Sequence, residues 1–225
     1  MTLRRLSVSQ LCRRLRVAHG AVEHWEKLPP LDELIATILS QNTSNANSDA
    51  AFARLKHRFP DWESVRTAKT RTIAAAIRVA GLSRLKAPRI KLILEQLARE
   101  RGTMSLDFLC TMTDDEALAW LRKLKGVGPK TAACVLLFAC GKSILPVNTQ
   151  VHRVARRLAL IGPRASAERA HELLAAIVPR KLVLDFHVLL IRHGRKICLP
   201  RKPRCTECVL LDACPEGQRR LGINM

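Results

Sequence analysis

The stretch Leu124-Lys125-Gly126-Val127-Gly128-Pro129-Lys130-Thr131-Ala132-Ala133 decides how this chain is read. Gly126 and Gly128 can both take positive φ and let another backbone come close, so the segment is expected to turn tightly. Pro129 suits the first position of a helix, where its missing N–H is no loss. The run Thr131 to Cys140 is small or apolar, and Gly141 supplies the stop. Trp120 to Leu124 reads as the end of a preceding helix. A helix, a tight turn and a second helix then follow one another, with backbone N–H groups pointing out of the turn. Such a turn binds anions. Lys130 stands one residue inside the second helix, within reach of whatever docks there.

Outward from that turn, the totals name the anion. The chain has 225 residues, 48% of them hydrophobic, enough for a core. Lys and Arg outnumber Asp and Glu by 39 to 19, a formal charge of +20 spread along the chain. Nucleic acid is the natural partner of so basic a folded protein. Gly126, Val127, Gly128 and Thr131 become candidate contacts to a DNA phosphate. A membrane surface is the competing partner, but no lone basic amphipathic helix stands out, and no apolar run reaches the roughly 18 to 20 residues of a span. Met1 to Gly20 carries Arg4, Arg5, Arg13, Arg14 and Arg16 without an uninterrupted apolar core, so it does not read as a secretory signal. A basic arm facing DNA and a weak likeness to an organelle transit peptide both fit it. The expected location is the cytoplasm of a bacterial or archaeal cell, with the nucleoid, and the expected state is a monomer.

Helical periodicity runs through most of the chain and period-two alternation is nearly absent, so the predicted fold is all-α. Helices are expected at Leu31 to Ser40, near Asn47 to Phe59, at Thr70 to Val79 closed by Gly81, and at Leu82 to Arg101. In the last of these, Pro88 must lie in the first turn or divide the helix. Thr113-Asp114-Asp115-Glu116 is a capping box opening a helix to about Lys123. Asn148 caps a helix to about Ala159, and two more cover Ser166 to Val178 and Leu182 to Arg192. A boundary falls near Gly141 to Ser143. Two helical domains are therefore expected: residues 22–141 with the central turn, and residues 1–21 with 142–225.

Four of the eight cysteines are crowded near the end as Cys198-x6-Cys205-x2-Cys208-x5-Cys214. Cys12, Cys110, Cys134 and Cys140 are scattered among apolar residues. Without a secretion signal the compartment is expected to be reducing, and a tight cluster then points to metal rather than disulfides. Four thiolates hold either a cubane iron–sulfur cluster or a zinc ion. Zinc ribbons usually show two short paired knuckles and this pattern has one, so the spacing favours [4Fe–4S]. Arg195, Lys196, Arg201, Lys202 and Arg204 lie close in sequence and are expected to stabilise thiolates and to meet DNA phosphates.

The cysteine spacing, the LKGVGPKTA turn and the Val147-Asn148-Thr149 segment together resemble the endonuclease III family of helix-hairpin-helix DNA glycosylases. The resemblance runs from about Leu31 to Pro215, and His193-Gly194-Arg195-Lys196-Ile197 leading into the four cysteines is its most specific part. It implies two helical domains with duplex DNA, carrying damaged bases or abasic sites, in a cleft between them. It implies a structural [4Fe–4S] cluster that shapes the DNA-binding surface. It implies a base-excision-repair enzyme, a glycosylase and abasic-site lyase acting on oxidised pyrimidines, with Lys130 as nucleophile. The chemistry is coherent: a flipped base is reached in a pocket, an amine attacks C1′ and leaves a Schiff base, and the imine acidifies C2′ for β-elimination.

Asn148 departs from the pattern, since the family has an aspartate there. An amide caps a helix as well as a carboxylate but offers neither a base nor a full negative charge. Weak or absent turnover is one consequence, leaving a lesion-binding protein as the alternative function; substitution by another acid, Asp185 being a candidate, is the other. Gln41 matches the family's inserted glutamine, against a plain reading as a helix C-cap. Leu82 matches an apolar wedge, against a plain reading as a core leucine. His152, His187 and His193 are expected to be packing or polar residues, and Trp25, Trp62 and Trp120 core or domain contacts.

Overall fold

A computed structural model describes residues 6–23 and 26–223. Arg4, Arg5 and Trp25, on which expectations were placed, lie outside the described residues. Among the described residues the regular structure is helical, with no strand. In chain order the helices are α1 Val8–His19, α2 Pro30–Leu39, α3 Asn45–Arg58, α4 Trp62–Thr67, α5 Thr70–Ala76, α6 Ser83–Arg101, α7 Asp114–Arg122, α8 Pro129–Phe138, α9 Thr149–Arg157, α10 Ala167–Ile177, α11 Val183–Lys196 and α12 Pro215–Leu221. They fall into two compact units, Lys27–Lys142 and Met1–Glu26 with Ser143–Met225.

In the first unit α2 packs along α8 and also meets α3 and α6. Leu34, Ile35, Ile38 and Leu39 of α2 are fully buried against this core, as are Ala132, Val135 and Leu136 of α8. Apolar burial of this kind contributes roughly 1.5–3 kcal/mol for each large side chain. Pro88 lies in the second turn of α6 and does not divide it. The loss of one backbone donor is offset by the apolar stripe Ile90, Ile93, Leu94 and Leu97, which holds the helix to the core. Trp62 is buried and its Nε1 donates to Asp32 Oδ1 at 2.6 Å. The ring of Trp120 meets Phe108 edge-on at 5.0 Å. Cys110 and Cys140 are joined as a disulfide across 30 residues of chain, tying the segment before α7 to the end of α8. The scattered placement of these cysteines had carried no sign of a pair.

In the second unit α1 packs on α11, and α11 on α9. The N-terminal arm is thus partly a helix, opened by a Ser7–Gln10 capping box, with Leu11, Cys12 and Leu15 buried. The density of arginines hid this stripe. Arg16 Nη2 pairs with Asp185 Oδ2, so the carboxylate proposed as a substitute acid serves to tie α1 to α11. At Gly194 an added Cβ would stand 3.0 Å from Gln150 Cβ and 3.2 Å from Arg153 Nη2, so glycine lets α11 approach α9 closely.

Candidate active site

The turn ahead of α8 differs from expectation at one glycine. Gly126 has φ 84°, the left-handed region, but Gly128 is extended at φ −90°. A residue before proline is driven out of the helical region, so Pro129 itself sets Gly128. An added Cβ at Gly126 would lie 2.5 Å from Arg89 Nε, which packs over the turn. Val127 is buried and anchors the turn, while Arg122, Lys123 and Lys125 around it are exposed. Pro129 opens α8 as predicted, no side chain caps that end, and Thr131 is buried. Lys130 is half-buried in the first turn, one turn ahead of buried Cys134.

Two loops in the same unit were expected to probe DNA. Leu82 is no core leucine: it is 50% exposed, and it sits in the left-handed region at φ 49°. Such a conformation costs a bulky residue on the order of 1–2 kcal/mol. Gln41 is half-buried with both ends of its amide engaged. Arg89 Nη1 donates to its Oε1 at 2.9 Å, and its Nε2 donates to Thr131 Oγ1 at 3.4 Å. A guanidinium only donates, which fixes the amide oxygen toward Arg89. Asn42, the next residue, is exposed at φ 54° and stands at the tip of the loop. Buried Lys86 joins the two loops, its Nζ donating to Leu39 O at 2.8 Å and Ala80 O at 2.9 Å. Neither Lys86 nor Arg89 was marked by the sequence, because each looks like one more cation on a basic helix.

In the other unit Asn148 caps α9, its Oδ1 accepting from Val151 N at 2.9 Å. His152 Nε2 bonds Ala165 O at 2.8 Å and buried His187 bonds Pro146 O at 2.8 Å through Nδ1, so both hold backbone. Cys198, Cys205, Cys208 and Cys214 all line one cavity, with Val154, Leu158 and Ile197 among its apolar walls. Donors are aimed at three of the four sulfurs. Arg157 Nη1 reaches Cys198 Sγ at 3.2 Å, Leu210 N reaches Cys208 Sγ at 3.4 Å, and Gly217 N reaches Cys214 Sγ at 3.3 Å. His193 is pushed down to about 4, by burial and then by His19, and is neutral near pH 7. Its Nδ1 meets His19 Nε2 at 3.0 Å and its Nε2 meets Cys208 Sγ at 3.6 Å.

The five cations expected to stabilise the thiolates are exposed, and Arg204 among them lines the cavity with the four cysteines. Arg157 of α9, which reaches Cys198 Sγ, also bonds Leu199 O at 2.7 Å and Pro200 O at 2.7 Å. Burial, followed by the charges of the other cysteines, pushes Cys208 up to about 11. Four thiolates in one cavity therefore need a cationic group among them. Among the described residues no three potential ligands gather around a single ion position.

Comparison with known proteins agrees with this geometry. Residues 35–180 match the HhH-GPD superfamily base excision DNA repair protein family. Endonuclease III of Sulfolobus acidocaldarius is 35% identical over 185 residues, covering 80% of this chain and 79% of its own. Endonuclease III of Thermotoga maritima is 34% identical and covers 85% of each chain. A protein of Arabidopsis thaliana is 41% identical over 168 residues, and the chain spans 57% of that relative's length. The structure of a trapped endonuclease III–DNA covalent intermediate with an estranged adenine superposes with TM-score 0.82 at 26% identity, covering 96% of this chain and 100% of that one. From the glycine turn and Lys130 to the cysteine-lined cavity, the chain belongs to the endonuclease III group of the HhH-GPD superfamily of base excision DNA repair proteins.

Proposed function

We propose that this chain is a bifunctional DNA glycosylase and abasic-site lyase that removes oxidised pyrimidines from duplex DNA, with Lys130 as its nucleophile. The observation that carries the reading is Lys130 itself, half-exposed in the first turn of α8 directly after the turn at Gly126, Val127 and Gly128. Uncapped N–H groups at the start of α8 suit a backbone phosphate. The Lys130 amine adds to C1′ as the damaged base leaves with the bonding electrons; the C1′–O4′ bond then breaks, O4′ takes a proton from the nitrogen, and a protonated imine joins protein to sugar. Loss of the C2′ proton then breaks the C3′–O bond. Lys130→Ala is expected to fold and bind duplex yet form no imine; an adduct that persists in this variant would move the nucleophile elsewhere.

Gln41 and Asn42 on one loop and Leu82 on the other are read as the residues that fill the gap left by a flipped base. Exposure of Leu82 in a strained conformation supports this, since a wedge must stand proud of the surface. Members of the endonuclease III family generally bind a [4Fe–4S] cluster. Here Cys198, Cys205, Cys208 and Cys214 would hold one, and Arg157 would neutralise part of its charge. The cluster supplies structure to the loop rather than chemistry to the sugar. About four irons per chain are expected; stoichiometric zinc without iron would contradict this. The place of action is wherever duplex DNA is stored, which in a bacterial or archaeal cell is the nucleoid.

A further inference from the structure

Gln41 and the glycine turn share one strut, the side chain of Arg89 on α6. Its stem lies over Gly126, where an added Cβ would stand 2.5 Å from Nε, 2.8 Å from Cδ and 3.0 Å from Cζ. Glycine at that position makes the room that Arg89 occupies. From there Nη1 donates to Gln41 Oε1 at 2.9 Å, a charge-assisted bond to a neutral amide rather than to a carboxylate. Gln41 Nε2 carries two N–H groups, and one is aimed at Thr131 Oγ1, at 3.4 Å. Thr131 follows Lys130 on α8. The Gln41 amide is thus held at its oxygen by α6 and at its nitrogen by α8, with one N–H left over.

We propose that Arg89 decides how Gln41 reads the base left unpaired when its partner is flipped out: with Oε1 taken by the guanidinium, the amide meets that base as a donor only. The inference rests on Gln41 being the residue that enters the gap. Adenine, the partner of a thymine-derived lesion, offers an acceptor at N1 and a donor at its 6-amino group along the pairing edge. A free glutamine amide matches both. Held by Arg89, Gln41 donates to N1 and leaves the amino group unmatched. Guanine O6 offers the same kind of acceptor, so a donor-only amide serves lesions that arise opposite either purine. Arg89 acts through Gln41 and is a positioning residue.

Neighbouring polar groups are committed elsewhere. Ser40 Oγ donates to Thr37 O at 2.8 Å. Thr37 Oγ1 donates to Glu33 Oε1 at 2.9 Å, a carboxyl that burial pushes up to about 7. Lys86 Nζ holds the carbonyls of Leu39 and Ala80. A second donor at Gln41 Oε1 would have to approach the positive charge of the guanidinium, so the oxygen held there is a poor acceptor for a base N–H.

The test is equilibrium binding of the full chain, read by fluorescence anisotropy, to duplexes with a stable tetrahydrofuran abasic site opposite adenine, purine (which lacks the 6-amino group) or 1-deazaadenine (which lacks N1). The unaltered protein is compared with Arg89→Met and Gln41→Ala. Methionine keeps an unbranched stem over Gly126, suits a helix and removes the donor, so that variant folds. The unaltered chain is expected to bind the adenine and purine duplexes within about 2-fold of each other, and the 1-deazaadenine duplex about 5-fold more weakly, for the loss of one neutral hydrogen bond. Arg89→Met is expected to favour adenine over purine by about 5-fold, since Oε1 is then free for the amino group; the missing charge weakens all three duplexes alike and leaves this ratio untouched. Adenine already preferred over purine by the unaltered chain would mean that the amide leaves Arg89 on entering the gap, and would overturn the proposal. Equal binding of all three duplexes by the unaltered chain would overturn it too, as would an Arg89→Met chain that loses the same factor on each, which would make Arg89 a structural or phosphate contact. Gln41→Ala is expected to bind all three within about 2-fold; discrimination that survives in that variant would instead overturn the reading of Gln41 as the residue in the gap.

Discussion

Asn148 and Glu33 are single residues whose replacement has a readable consequence. Asn148 keeps the capping half of the family aspartate's duties, through the bond from Val151 N, and gives up the charge. A positive sugar develops as a damaged base leaves, whereas a ready-made abasic site has no base to expel. Asn148→Asp is therefore expected to speed release of an oxidised pyrimidine by about 10²-fold or more. Trapping on a ready-made abasic site should change by less than about 3-fold, and the melting temperature little, since both residues cap. Equal acceleration of both reactions would contradict this division. Glu33 leaves a mark on stability as well. Its carboxyl takes up a proton more readily in the folded chain than in the unfolded one, so the stability it contributes is complete below about pH 4.5 and is lost as pH rises through about 7. With its partial exposure discounted, Glu33→Gln should raise the melting temperature by about 3–6 °C at pH 8 and not at pH 4.5, as calorimetry at the two pH values would read. Lys130 was legible in the sequence because glycine, proline and lysine fall in a fixed order. The half-burial of Glu33 and its bond from Thr37 were not, because nothing in LDELIATILS marks a first-turn carboxylate for burial.

The helices themselves were legible wherever a cap and an apolar stripe coincided. The Thr113–Glu116 capping box, the Asn148 cap and the stop at Gly141 stand where the residues place them. Helix α1 was missed because arginines crowd its outer face, and α4 and α12 because six or seven residues are too few for a period to show. Gly128 was misjudged because the proline after it, rather than its own freedom, decides its backbone. The Cys110–Cys140 bond was invisible, since pairing across 30 residues depends on how the short turn Asp107–Cys110 and the end of α8 come together in space. That bond closes a long loop in the unit that carries Lys130. Cys110→Ser, or mild reduction, should cost about 2–4 kcal/mol and lower the melting temperature accordingly. An unchanged melting curve under thiol reductant would show that the bond contributes nothing in solution.

Across the whole molecule the +20 formal charge remains the plainest fact. It is why nucleic acid was legible before any motif, while the base that is cut out is not written in any residue total. Binding to duplex DNA should weaken roughly 10³-fold or more between 50 and 200 mM salt if about six phosphates are held; affinity indifferent to salt would contradict a phosphate-dominated surface. No helix among the described residues is long and apolar enough to cross a membrane. Two compact units, each with its own core, carry the two halves of the account: Lys130 and its glycine turn in one, the cysteine-lined cavity in the other. The most direct test of the central claim is borohydride trapping on a duplex with a ready-made abasic site, the unaltered chain beside Lys130→Ala. The expected result is a covalent protein–DNA adduct with the unaltered chain and none with the variant. Adducts of equal yield from both, or none from an unaltered chain that binds the duplex, would contradict it.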